Sequence, residues 1–162
     1  MKGYKIGFSE INDGKDLAFA LITLDIPEGY PGLAIIAPNL FESASSLDFR
    51  SNVARVLSIN KIEMHHEPTY RYCNRKTYTY TFLASDKIMD HAFSIYDNSF
   101  YYHSGEIVFP DKFNATDYRR CTNGIHFFRS QNDALHYISN FWVRSKFNQC
   151  KNDMLVKKGI NC

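Results

Sequence analysis

The sequence predicts an α+β fold: a single mostly-β domain with one well-defined helix near the C-terminus. Three observations carry that expectation. The chain holds 13 Phe and 11 Tyr against a single Trp, and Phe and Tyr favour strands. TYTYTF at 77–82 alternates strictly, with Tyr78, Tyr80 and Phe82 on one side and Thr77, Thr79 and Thr81 on the other, the period of a half-buried strand. Near the C-terminus Ala134, Leu135, Tyr137, Ile138, Phe141 and Trp142 recur at helical spacing. They follow Ser130 and Asp133, whose offset approaches a capping box. That spacing predicts a helix over about 131–144 with one wide apolar face.

At 162 residues the chain has the size of one domain with a sizeable core. The domain is expected over 1–145, with a polar C-terminal tail over 146–162. GYKIGF at 3–8 reads as a first strand, SEINDG as a turn, and KDLAFALITLDI at 15–26 as a buried strand returning in a hairpin. Pro27 ends it, and PEGYPG is a loop. A short strand is expected before Pro38, and ESASSLDF is read as a surface connection. Residues 52–62 alternate as a strand with one mostly apolar face. EMHHEPTYRYCNRK at 63–76 is polar, is broken by Pro68, and reads as a break before TYTYTF. HAFSIYD at 91–97 is a further strand. SFYYHSGEIVF at 99–109 reads as a hairpin or bulged strand bent at Ser104-Gly105, and GIHFF as a short strand after the Asn123-Gly124 turn.

Net charge is +2 and the basic residues, among them Arg50, Arg55, Arg119 and Arg120, are scattered, so nucleic acid is not indicated as a partner. No apolar run approaches a membrane span, and the first residues lack a secretory h-region. The chain is therefore expected in the cytoplasm, or the host cytoplasm if viral. Its cysteines, Cys73, Cys121, Cys150 and Cys162, are then free thiols rather than a disulfide frame. Phosphate-binding loops, dinucleotide-binding glycine turns and nucleophile elbows are absent, and no cofactor is implied.

The stretch 95–137 carries Tyr102, Gly105-Glu106, Val108, Pro110-Asp111 and Phe113, then Cys121, Gly124-Ile125-His126-Phe127-Phe128, Ala134 and Tyr137. This pattern resembles a domain of unknown function found in large DNA viruses and phages. That family carries a C-x-x-G-I-H-F-F motif and often stands beside pentapeptide repeats, which this chain does not contain. The resemblance implies a viral or phage setting and brings no activity with it.

Four groups of residues bear on function. Cys121 and His126 are the candidate catalytic pair, since a thiolate needs a nearby base. The simpler reading makes them the end of a loop and a strand residue feeding the core. Arg119 and Arg120 are candidates for bidentate hold of a phosphate or carboxylate, with His126 and Tyr137 completing a ligand-binding set. Gly124–Phe127 with Ala134 and Tyr137 is also similar to the nicotinamide-pocket segment of ADP-ribosyltransferases, although no Glu follows Glu106 to take the catalytic role. Glu63, His65, His66 and Glu67 crowd one segment without a second ligand pair at metal spacing, so no metal site is assigned. The expectation is a binding or interaction module for a protein partner or a small anionic ligand, with a host component as the partner if viral. Catalysis on a nucleotide-like substrate is the alternative, and binding ranks ahead of it.

Overall fold

A computed structural model describes residues 1–27, 36–38, 48–71, 75–113 and 124–157. Ten strands and two helices are built from them. In chain order the strands are β1 (Lys2–Ile11), β2 (Asp16–Asp25), β3 (Ile36–Pro38), β4 (Asp48–Ser51), β5 (Ala54–Arg71), β6 (Arg75–Ile88), β7 (His91–Ser94), β8 (Tyr101–His103), β9 (Ile107–Val108) and β10 (Ile125–Phe128). The helices are α1 (Gln131–Tyr137) and α2 (Phe141–Lys157). The fold is thus α+β and mostly β, as the composition predicts. All pairings are antiparallel, in the order β3-β4-β10-β1-β2-β5-β6, with β7, β8 and β9 attached beside that path.

The β1–β2 hairpin is the predicted one. It runs in register from Lys2↔Asp25 to Ile11↔Asp16 and turns on Asn12, Asp13 and Gly14, all at positive φ. Asn, Asp and Gly are the residues that tolerate this region. β2 is apolar on both sides because both sides are covered. Ala20, Ile22 and Leu24 join one cluster with Val56, Ile59, Ala92, Tyr102, Ile125 and Phe127. Leu17 and Leu21 join a second with Ile6, Phe8, Phe93, Leu135, Ile138 and Val143. Phe8 centres that second cluster, edge-on to Phe19, Phe93 and Phe147 at 5.6, 5.9 and 5.4 Å. Such contacts add to the burial of the rings themselves.

Four expectations are corrected. The alternation read over 52–62 loses phase at Leu57. Thr23 pairs Ser58 while Leu24 pairs Val56, so Leu57 is the extra residue of a β-bulge. Val56 and Ile59 are both buried and Leu57 is exposed. The polar segment 63–76 is not a break: β5 continues to Arg71 through Pro68. Proline is tolerated there because no described strand pairs with that edge of β5, and a missing donor costs a ladder bond only inside a sheet. The bend at Gly105 is real (φ 86°), but its arms do not pair with each other. β8 joins β7 and β9 joins β5.

The single helix is two. Ser130 caps α1, its hydroxyl accepting from the Asp133 amide at 3.5 Å. The chain then breaks over 138–140, and Asn140 Oδ1 accepts from the Trp142 amide at 2.9 Å to start α2. The break turns Phe141 out to 80% exposure, off the apolar face that continuous helical spacing assigned it. Helix continues through the stretch expected as a polar tail, to Lys157. Lys151 of α2 pairs with Asp16 of β2 at 3.2 Å. The PEGYPG loop beyond Pro27, most of the ESASSLDF connection and the last five residues lie outside the described residues.

Candidate functional site

β1 has one edge fully paired with β2 and another shared by two strands. Tyr4 pairs Phe128 of β10, while Gly7 and Phe8 pair Ser94 and Phe93 of β7. Both pairings are antiparallel. Continued in register, His126 and Ile95 would both fall opposite Ile6. Two strands cannot occupy one place, so the sheet forks there. Ile95 leaves towards the helices and is buried in the cluster they cover.

A pocket of about 190 Å³ fills this fork. Lys5 lies on it from β1, Ser94 and Tyr96 from the end of β7, and Gly124 and His126 from the start of β10. Phe100, Tyr102 and the 110–112 turn close the far side. Lys5 is only 7% exposed. Its ammonium donates to the His126 carbonyl at 3.2 Å and stands 5.8 Å from the centre of the Tyr102 ring. A buried ammonium persists only with such compensation. Tyr102 is itself buried, and burial pushes its phenol far above the ordinary range, so it stays neutral beside the cation.

Tyr96 organises the other wall. Its ring lies 6.2 Å from that of His126 and 5.0 Å from that of Trp142, and its hydroxyl is hydrogen-bonded to the Tyr137 hydroxyl at 2.8 Å. α1 and α2 therefore reach the pocket through one tyrosine. Among the described lining residues the formal charges balance, with Lys5 and Lys112 against Asp97 and Asp111, but they differ in depth. Asp97, Asp111 and Lys112 are exposed at the rim and Lys5 is buried. Asp97 is also engaged: the side chain and amide of Ser99 both donate to its Oδ1 and hold its carboxyl below the usual range. A charge removed from water acts more strongly than one at the rim, and among the described lining residues Lys5 carries the least solvated charge.

Of the residues singled out from the sequence, His126 lines the pocket. Tyr137 does not line it and is hydrogen-bonded to Tyr96, which does. Arg119, Arg120, Cys121 and Cys73 lie outside the described residues. Glu63 and His65 share a face of β5, with Glu63 Oε2 to His65 Nε2 at 3.8 Å, both well exposed. Two cations that sequence reasoning did not place are central here. Lys5 sits in a strand whose neighbours are apolar, so alternation alone reads it as a surface residue. Arg50 is fully buried, opposite His126 in register, with its guanidinium 5.1 Å from the Phe113 ring centre. Gly124 belongs to the same corner. Its φ is 138°, and a Cβ there would lie 3.2 Å from both Arg50 Cβ and the Phe113 ring.

An antiparallel sheet forked around a cation-floored, aromatic-walled pocket is the class of architecture that results. In comparison with known proteins, residues 69–134 match the model of a family of unknown function, DUF5758. The matched stretch includes Tyr96, Tyr102, Gly124 and His126 and stops short of Lys5, Tyr137 and α2. No curated protein and no solved structure matches the chain. Among the described residues no helix is long and apolar enough to cross a membrane.

Proposed function

We propose that this chain is a binding module whose forked-sheet pocket takes a small anionic ligand with a flat, ring-like portion. One observation carries the reading: an ammonium, that of Lys5, is held almost out of water at an accessible pocket. A phosphate or carboxylate meeting it forms a charge-assisted hydrogen bond stronger than a neutral one. The rings of Tyr96, Phe100 and His126 offer faces for a planar group. Pockets with apolar walls and a few convergent polar groups are the usual form of small-molecule sites.

The test is a thermal-shift screen of the purified chain against inorganic phosphate, dicarboxylates, nucleotides and cyclic nucleotides. A ligand that binds the native state raises the apparent melting temperature. At least one such anion is expected to do so in the parent chain. Lys5→Met is expected to abolish the shift, and Lys87→Met, far from the fork, to leave it. No shift with any anion, or an equal shift in Lys5→Met, sinks the reading.

That His126 lines the pocket supports a second reading, acid–base catalysis on the bound ligand. Here His126→Gln is expected to keep the thermal shift and to stop conversion of the ligand, followed by mass spectrometry. Recovery of every shifting ligand unchanged from the parent chain leaves binding alone.

A further inference from the structure

We propose that His91 and His103 form a two-histidine site for a divalent transition-metal cation, zinc or copper in kind, set across the β7–β8 pair. The two residues are register partners on adjacent antiparallel strands. The Ser104 amide donates to the Asp90 carbonyl at 3.1 Å, and the Ser94 amide to the Phe100 carbonyl at 2.9 Å. Hydrogen-bonded and non-hydrogen-bonded pairs alternate along an antiparallel ladder. The pairs 90/104 and 94/100 are hydrogen-bonded, so 91/103 falls in the other class, where side chains stand closest. The two imidazole rings are accordingly 5.8 Å apart, centre to centre. A metal–nitrogen bond of about 2.0–2.1 Å puts each ring centre roughly 3.2 Å from the metal, so rings sharing one metal stand no more than about 6.4 Å apart. The observed spacing lies inside that limit.

The surroundings fit a ligand pair. β7 is paired with β1 on its other side, and the Ser9 hydroxyl donates to the His91 carbonyl at 2.7 Å, so the strand that carries His91 is held from both sides. Both imidazoles are half-buried and reached by solvent. Asp90 Oδ2 lies 3.6 Å from His91 Nδ1. A carboxylate beside that nitrogen orients the ring and leaves Nε2 for a metal, as outer-layer carboxylates do behind metal-bound histidines. No three of the described His, Cys, Asp and Glu side chains form a metal-holding group. The protein therefore supplies two nitrogens and water completes the shell. Imidazole suits zinc, copper and nickel, whereas magnesium and calcium take oxygen ligands. Bound there, the cation staples β8 to the strand that leads to Ser94 and Tyr96 of the pocket.

A zinc titration of the full chain, freed of any affinity tag and followed by its imidazole NMR resonances, tests this. The resonances of His91 and His103 are expected to move together and to reach half-saturation at one zinc concentration. His91→Asn is expected to weaken the response of His103 at least about tenfold, the scale on which metal sites lose affinity when a supporting group goes. His103→Asn is expected to do the same to His91, because each ring binds only with the other. Replacing His65 and His66 on β5 by Asn is expected to leave both responses unchanged. Should either single variant not fold, the parent decides alone through the shared half-saturation point. Zinc that shifts neither ring, or only one of them, overturns the proposal. So does a His103 response that is undiminished in His91→Asn, or one lost with His65 and His66.

Discussion

Single residues set the chemistry through their depth. Lys5 matters because burial removes water from its ammonium, while the described acids at the pocket, Asp97 and Asp111, stay solvated at its rim. Cys150 shows depth acting the opposite way. It is buried on α2 in the cluster around Phe8. Desolvation, with a smaller contribution from Asp153, pushes its thiol above the ordinary range. The thiolate is the reactive form, so at pH 8 iodoacetamide is expected to alkylate Cys150 at least tenfold more slowly in the native chain than in urea. Peptide mass spectrometry checks this, and an equal rate in both would contradict the burial. Residue-level legibility in the sequence was uneven for a physical reason. His126 stood out because its neighbours Ile125, Phe127 and Phe128 mark a core strand. Lys5 did not, because a lysine among apolar residues usually reaches solvent along its own stem. Only the fork, a meeting of β1 with segments some ninety and one hundred and twenty residues away, closes over it.

Elements meet at the fork, and its geometry rests on Gly7. A Cβ on Gly7 would lie 2.8 Å from Ile22 Cδ1 and 2.9 Å from the Phe93 carbonyl oxygen. The second neighbour is backbone, so β7 itself must move. Gly7→Ala is therefore expected to cost about 1–3 kcal/mol, the scale of overpacking a filled core, measured by urea denaturation. It is also expected to weaken the ligand-induced thermal shift, because β7 carries one wall of the pocket. A change within about 0.5 kcal/mol would show that β7 is not held against β1 as described. Local patterns made most elements legible: the Asn12-Asp13-Gly14 turn, the threonine–tyrosine alternation of β6, the Ser130 cap. What local pattern missed was decided by partners. A proline breaks a central strand but not an unpaired edge, so β5 runs on through Pro68; Leu57 is exposed because its ladder slips by one residue, and Phe141 faces out because Asn140 restarts the helix.

At the scale of the whole molecule, one sheet has two distinct ends. Its forked edge holds the pocket, and its opposite end extends as the β5–β6 arm. The sequence resemblance fell on 95–137 and the family match on 69–134, so both cover the far walls of the pocket and only the family match reaches the arm's outer strand, while Lys5 comes from the first strand. The pocket was therefore not readable as one motif, since no contiguous stretch contains it. The most direct measurement is a heteronuclear NMR titration of the labelled chain with the anion that gives the largest thermal shift. The account predicts that the amide resonances of Lys5, Ser94, Tyr96, Gly124 and His126 move together and saturate with one affinity, while Met64 and Tyr80 on the arm stay still. Movement confined to the arm, or none at these five positions, would contradict it.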